Sequence, residues 1–266
     1  MDDELRAGYL AHIERESSRF IACLAAADPT APVPSCPEWT VDDLIWHLAE
    51  VQLFWGAIVR DRLDDPDAAD EGKPSRPEDH AALVALFADA TRQLLDALAT
   101  TPPETEVWTW AEDHSAAFVL RRQAHEALIH RLDAELVAGD VTELDAALAT
   151  DGVDEALTVM YGDVPAWSTF TIGDVGGRVE TTDTGASWDL VFGRFAGTSP
   201  NTGKVYDDEI VSVVETLAGP PAFVLSGHAG DLDAWLWSRA SLDALTVAGD
   251  RGAFDRLAAV VATGVQ

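Results

Sequence analysis

Hydrophobic positions in the first part of the chain repeat at intervals of three and four, which places apolar side chains on one face of an α-helix. Segments 3–27, 41–59, 78–100 and 115–137 all show this spacing. Four prolines between residues 29 and 37 separate the first segment from the second. Four amphipathic helices of this length predict a four-helix bundle.

Residues that start or stop helices mark the ends of these segments. Thr40 is a typical N-cap before acidic residues of a first turn. Pro102 and Pro103 stop the third segment, and Gly139 lies where the fourth must end. The acidic stretch 62–79 contains three prolines and predicts a surface loop.

The pattern changes after residue 160, where short β-like runs separated by turns replace the helical spacing. The predicted strands are 170–172, 187–192, 222–226 and 245–248, and residues 193–203 are predicted to form a turn. Helical patterns are found at 153–160, 231–239 and 251–262. This mixture indicates a small α+β domain. The chain is therefore predicted to have two domains, residues 1–165 and residues 166–266.

Composition supports a folded protein and limits its partners. The chain has 266 residues, of which 47% are hydrophobic and 24% charged, so there is ample material for a core. It carries 17 basic and 47 acidic residues, a formal net charge of −30. Such a charge repels nucleic-acid phosphates and anionic lipids, so we expect neither nucleic-acid nor membrane binding.

The cell compartment is predicted from the N-terminus and the cysteines. The first residues are acidic, unlike the basic start of a secretory signal, and no apolar run reaches the length of about 20 residues that crosses a bilayer. Cys23 and Cys36 cannot form a disulfide framework. Cys36 has no evident base beside it, which argues against a nucleophilic role. We expect a cytoplasmic protein, as a monomer or a small homo-oligomer.

The most informative stretch for chemistry lies in the fourth helix. At about 100° per residue, His125 and His130 point about 140° apart and cannot comfortably share one ion. Glu126 and His130 point only about 40° apart, so this pair is the candidate half of a metal site. His125 falls on the centre of the apolar stripe and is predicted to be a core residue.

A third ligand is predicted on the second helix. His47 lies about 60° from the centre of that helix's apolar stripe, at the interior edge. With Glu126 and His130 it would form a two-histidine, one-carboxylate set with an open fourth position, which is typical of catalytic zinc. The alternative is that Glu126 and His130 form only a surface pair and that His47 is a buried histidine with a polar partner.

Two motifs resemble a known family. Residues 35–48 and 125–135 resemble the two signature motifs of the mycothiol-dependent maleylpyruvate isomerase family, which belongs to the DinB-like metal-binding bundles. Residues 151–157 also fit this family. Thr182, Asp183, Trp188 and segment 227–257 resemble its sterol-carrier-protein-like C-terminal domain. The resemblance covers nearly the whole chain in the same order.

The resemblance implies a multi-domain α and α+β protein, with a DinB-like four-helix bundle followed by a sterol-carrier-like α+β domain. It implies a divalent metal, with zinc expected, held by His47, Glu126 and His130. It further implies mycothiol as cosubstrate, an electrophilic small-molecule substrate and cis–trans isomerisation of maleylpyruvate by thiol addition and elimination. Arg239 matches an arginine position of the family and is the candidate catalytic cation, with a structural role as its alternative.

Two other functions remain open from the sequence. A mycothiol S-transferase would use the same ligands but release a stable thioether. A non-catalytic protein would bind an apolar ligand and keep a purely structural metal, although an open fourth position argues against this. The general base needed for elimination is not evident in the sequence, unless Asp133 serves.

Overall fold

A computed structural model describes residues 1–200 and 202–264. The chain divides into two compact units, Met1–Thr142 and Glu143–Gln266. The predicted combination of a helical bundle and an α+β unit is confirmed. None of the described helices is both long and apolar enough to span a bilayer.

The first unit contains the predicted bundle. Its elements, in chain order, are α1 (Asp3–Leu24), β1 (Pro32–Val33), β2 (Cys36–Thr40), α2 (Val41–Asp61), α3 (Pro66–Glu71), α4 (His80–Thr100) and α5 (Ala116–Ala138). β1 and β2 pair in antiparallel orientation within the connection from α1 to α2. The long helices α1, α2, α4 and α5 coincide with the four predicted segments within a few residues at each end.

The helix ends follow from local chemistry. The Thr40 side chain accepts a hydrogen bond from the backbone of Asp43, whose carboxylate accepts one from Thr40, and this capping box starts α2. Gly139 has φ of 68° and ends α5 in the left-handed conformation that glycine adopts without strain. The prediction of a continuous loop at 62–79 was wrong, because Asp65 caps the short helix α3, which has proline in its first turn.

The direction of each long helix follows from the residues it contacts. The pairs joining α1 to α5 are Tyr9 with His125 and Arg19 with Glu135, so these two helices run parallel. The pairs joining α2 to α4 are Asp42 with His80 and Gln52 with Thr91, so these also run parallel. The pairs joining α1 to α4 are Arg6 with Leu98 and Phe20 with Phe87, so these run antiparallel. It follows that α2 and α5 are antiparallel.

The second unit is a mixed sheet with helices. Its elements are α6 (Ala146–Glu155), which continues into a π-helical turn (Ala156–Met160), β3 (Ser168–Thr181), β4 (Ser187–Thr198), β5 (Val205–Val214), β6 (Phe223–Gly227), α7 (Ala229–Leu236), β7 (Thr246–Gly249) and α8 (Arg251–Val261). The strand order among the described residues is β5-β4-β3-β6-β7. β3 and β6 are parallel, and the other neighbours are antiparallel.

The sheet is larger than the sequence pattern predicted. The prediction of a turn at 193–203 was wrong for residues 193–198, because β4 continues to Thr198. This part of β4 pairs with β5, a strand that was not predicted. The ring of Phe170 on β3 fills the space beside Gly193, where an added Cβ would lie only 2.3 Å from the ring. Glycine is therefore needed in mid-strand, where its presence had suggested a turn.

The two units divide at residue 142, whereas the sequence pattern predicted a change at residue 165. The two boundaries differ because α6 is helical, like the elements of the bundle, but packs against α7 of the second unit. The contact is close: a Cβ at Gly152 would lie 2.6 Å from the carboxylate of Asp233. The pattern of a sequence predicts whether a segment forms a helix or a strand. It does not predict which other element that helix or strand packs against.

Candidate metal centre

His47 on α2 and Glu126 and His130 on α5 lie together in the first unit. Each of the three offers a ligand atom, and these atoms all lie within 4.8 Å of one another. Nε2 of His130 is 3.2 Å from a carboxylate oxygen of Glu126, and the two imidazole centroids are 4.8 Å apart. Among the described residues, this is the group of histidine, cysteine and acidic side chains placed to share one ion.

A buried carboxylate fixes the orientation of His130. Asp133 is fully buried, one turn further along α5, and its Oδ2 is 2.9 Å from Nδ1 of His130. The hydroxyl of Ser35 donates a hydrogen bond to the other oxygen of Asp133. With Nδ1 engaged, His130 presents Nε2 towards Glu126 and His47, as metal-binding histidines with a carboxylate partner do.

The connection between α1 and α2 places His47. Thr40 starts α2, and His47 follows two turns later on the side of that helix which faces α5. The ring of Trp39, which precedes the cap on β2, packs against the imidazole of His47 with 4.7 Å between centroids. Trp39 therefore restricts the imidazole and shields it from water.

The two imidazoles differ in their affinity for protons in the metal-free protein. Burial, together with charge repulsion from the neighbouring His130, lowers the pKa of His47 to about 4. Burial also lowers the pKa of His130, but the carboxylates of Asp133 and Glu126 outweigh burial and raise it to about 9. His47 is thus neutral at pH 7, whereas His130 must lose a proton before it can ligate an ion.

Glu126 is charged and reachable. Burial raises the pKa of its carboxyl group, but the Arg122 guanidinium, His130 and His47 outweigh burial and hold that pKa well below its usual range. Nε of Arg122 is 3.5 Å from Oε1 of Glu126. The Glu126 side chain keeps 22% of its surface exposed, against 6% for His130, so a small molecule can approach from the Glu126 side.

The donor set fits a divalent ion. Two imidazole nitrogens and one carboxylate oxygen are the ligand types of catalytic zinc sites, which keep a fourth position for substrate. The hydrogen bond from His130 to Asp133 supplies the supporting contact that such sites need.

The structure gives the other candidate residues different surroundings. His125 is fully buried and meets the ring of Tyr9 edge-on at 6.4 Å, so it faces α1 as a core residue. Arg131 is buried between Glu16 and Glu135. Asp133, the base that the sequence offered, contacts His130 and Ser35 and is therefore an orienting group.

Arg239 belongs to the second unit, just after α7. Its Nη1 donates a hydrogen bond to the backbone carbonyl of Trp237 at 2.7 Å. The preceding residue, Ser238, has φ of 60°, so the chain turns sharply here. The role of Arg239 towards a substrate stays a prediction.

Sequence reasoning missed two supporting residues, Ser35 and Trp39, as parts of this centre. The helical pattern could have indicated a contact between Asp133 and His130, because Asp133 lies three residues after His130 on the same side of α5. Ser35 reaches Asp133 across 98 positions of the chain. No local signal predicts such a contact.

The fold and the site define a helical-bundle protein with a candidate metal centre, joined to an α+β unit. Residues 10–135, within the first unit, match the family model "Mycothiol maleylpyruvate isomerase N-terminal domain". A search of curated proteins gives no match.

Two solved structures are similar to the chain. One is a crystal structure of the mycothiol-dependent maleylpyruvate isomerase, with 16% sequence identity and a TM-score of 0.56. The other is a variant of that protein with one histidine replaced by alanine, with the same identity and a TM-score of 0.58. In both comparisons 91% of this chain and 92% of the other are covered. At this level of identity the likeness shows the fold.

The pKa of His130 leads to a prediction for metal uptake. At pH 8 an ordinary histidine is neutral, whereas His130 with its pKa of about 9 still carries the extra proton. Zinc uptake by the metal-free protein at pH 8 should therefore release close to one proton from His130. Asp133→Asn should lower that pKa, reduce the release and weaken zinc binding by about 10- to 100-fold.

The measurement is calorimetric titration of zinc at pH 8 in buffers with different ionisation enthalpies. Asp113→Asn, at an exposed loop position of the same unit, is the control and should match the wild type. Equal proton release by the wild type and Asp133→Asn would contradict the assigned role of Asp133.

Proposed function

We propose that this protein is a metal-dependent enzyme that adds the thiol of mycothiol to a small electrophile. Cis–trans isomerisation of maleylpyruvate or a similar cis-enedioyl acid is the leading activity. The observation that carries the proposal is the set of His47, Glu126 and His130, with an orienting Asp133, in a segment that matches the mycothiol maleylpyruvate isomerase family model.

His47, Glu126 and His130 would hold the ion in this proposal. A divalent ion there, with zinc the expected species, would act as a Lewis acid that lowers the pKa of a thiol at the open position. Asp133 keeps the proton on Nδ1 of His130, so that Nε2 stays turned to the centre. Trp39 covers His47 and helps to exclude water, which strengthens electrostatic interactions at the site.

The isomerisation needs no net change in the thiol. The sulfur forms a bond to one alkene carbon, and the π electrons move onto the conjugated carbonyl group. The former double bond then rotates, the electrons return and the carbon–sulfur bond breaks. Arg239 is the residue we propose to bind a substrate carboxylate, since a cation is needed in a chain of charge −30.

S-transfer to another electrophile is the second candidate. If the intermediate gains a proton on carbon, it becomes a stable thioether unless a base removes that proton. The buried Asp133 is already engaged with His130 and Ser35, which favours release of the thioether over elimination. A structural metal in a non-catalytic binding protein is less well supported, because structural zinc sites have four protein ligands.

One experiment separates the two activities. The zinc-loaded protein is mixed with maleylpyruvate and a trace of mycothiol, and the products are followed by mass spectrometry. We expect many turnovers to fumarylpyruvate with the thiol unchanged. Thioether formation in proportion to the thiol consumed would favour the transferase. No reaction of either kind would contradict this substrate, and His47→Ala serves as the inactive control.

We further propose that the enzyme works in the cytoplasm, where low-molecular-weight thiols are kept reduced. Its partners would then be the thiol and the electrophile alone. The acidic surface, with a formal charge of −30, supports the absence of nucleic-acid and membrane partners.

A further inference from the structure

Two glutamines are buried in the bundle, and their surroundings differ. Gln52 on α2 is 1% exposed; its amide donates to the hydroxyl of Ser17 at 3.0 Å and accepts from the hydroxyl of Thr91 at 2.6 Å. Gln123 on α5 is also 1% exposed, yet neither its amide nitrogen nor its amide oxygen has a hydrogen-bond partner among the described residues. Gln52 thus has a structural explanation that Gln123 lacks.

A buried amide without partners destabilises a fold, because it loses hydrogen bonds to water and gains none. An apolar residue of the same shape would fill the position of Gln123 at a lower cost. Stability therefore does not explain this residue. A role in binding a ligand explains it, since residues at functional sites often lower the stability of the folded protein.

Gln123 lies on the metal-binding side of α5. It precedes His130 by seven residues, which places it about 20° from His130 around the helix axis and about 10 Å towards the start of the helix. Glu126, the other candidate ligand on α5, follows Gln123 by three residues, about 4.5 Å along the axis. The amide of Gln123 therefore lies about one turn before the carboxylate of Glu126 and two turns before the imidazole of His130. Because α2 is antiparallel to α5, this direction leads from His47 towards the later residues of α2.

We propose that Gln123 is a specificity-determining residue that binds a neutral amide or hydroxyl group of the thiol cosubstrate. A carboxamide offers donors and acceptors without charge, which matches a ligand group that is itself neutral and can both donate and accept. The axial separation of about 4.5 Å from Glu126 and about 10 Å from His130 favours a group of the thiol molecule that lies beyond the atoms next to the sulfur. This inference rests on the proposed function, since it assumes that a thiol sulfur occupies the metal centre.

The test compares a long and a short thiol in two matched variants. Met has a similar length to Gln but lacks polar atoms that require partners. We expect Gln123→Met, in the zinc-loaded protein, to weaken the binding of mycothiol about tenfold and to leave the binding of 2-mercaptoethanol unchanged. The same variant should raise the melting temperature and keep its zinc.

Gln52→Met is the control. It should leave both thiol affinities unchanged and lower the melting temperature, because Ser17 and Thr91 lose their partner. Calorimetric titration of each thiol, thermal unfolding and zinc analysis give the required readouts. A second variant, Gln123→Leu, should show the same pattern as Gln123→Met.

Several results would overturn this inference and leave the proposed function intact. These are an unchanged mycothiol affinity in Gln123→Met, an equal loss for both thiols, and a fall in melting temperature like that of Gln52→Met. A raised KM for the electrophile with unchanged mycothiol binding would assign Gln123 to the other substrate and would also overturn it. If the wild type binds neither thiol, the proposed function fails, and the inference fails with it.

Discussion

Replacing His130 with alanine should abolish retention of a divalent ion, and with it at least a hundredfold of any thiol-dependent activity. His130 offers one of the three candidate ligand atoms that lie within 4.8 Å of one another. A set of three cannot lose one protein ligand and keep a tight site. Elemental analysis after gel filtration should find about one ion per wild-type chain and close to none in His130→Ala.

His125→Ala is the matched control for this prediction, since it changes a histidine on the same helix. Its ring faces Tyr9 on α1, so the variant should keep its ion and lose stability through a cavity, by about 2–4 kcal/mol. Loss of the ion from His125→Ala, with retention in Glu126→Ala, would refute the assignment of helix faces.

The second large effect is expected at the opposite side of α5. Glu135 is fully buried and contacts Arg131 on its own helix and Arg19 on α1, at 2.8 and 2.7 Å. It also accepts a hydrogen bond from the backbone N–H of Thr142. Glu135→Ala removes one carboxylate from beside the buried Arg131, which keeps its ion pair with Glu16. The free energy of unfolding should fall by about 3–5 kcal/mol.

Urea unfolding at pH 7 measures this loss. Burial raises the pKa of Glu135, but Thr142, Arg19 and Arg131 outweigh burial and lower it. Because the pKa of Glu135 is lower in the folded than in the unfolded protein, its ionised carboxylate stabilises the fold fully above the unfolded value of about pH 4.3. This stabilisation is lost as the pH falls through the pKa of Glu135 in the folded protein. Asp140→Ala removes the exposed partner of Arg19 and should change stability little. Equal effects of the two variants would contradict the assigned importance of burial.

These two predictions assign separate tasks to one helix. On the side towards α2, α5 carries Glu126 and His130 for the candidate metal centre. On the side towards α1, it carries His125, Arg131 and Glu135 for packing and ionic contacts. Its polar residues are therefore spread around the helix and buried on both sides. α5 is therefore buried around most of its circumference, and the apolar stripe predicted for residues 115–137 does not by itself mark its buried side.

The sequence by itself determined the four long helices of the bundle and indicated the candidate ligand residues. Caps and breakers such as Thr40 and Gly139 act within a few residues of their own position, so the ends of helices can be derived locally. The pairing of Glu126 with His130 follows from helical phase for the same reason. His47 could be placed at an interior edge, although its partner helix could not be derived.

Only the tertiary structure decided which elements pack together and which polar groups find partners. α6 joins the second unit because of its contacts with α7, and β4 runs through Gly193 because the ring of Phe170 fills the space there. Ser35 meets Asp133, and Gln52 finds Ser17 and Thr91, while Gln123 finds no partner among the described residues. The physical reason is that burial and hydrogen bonding depend on residues far apart in the chain, whereas propensity and phase depend on neighbours.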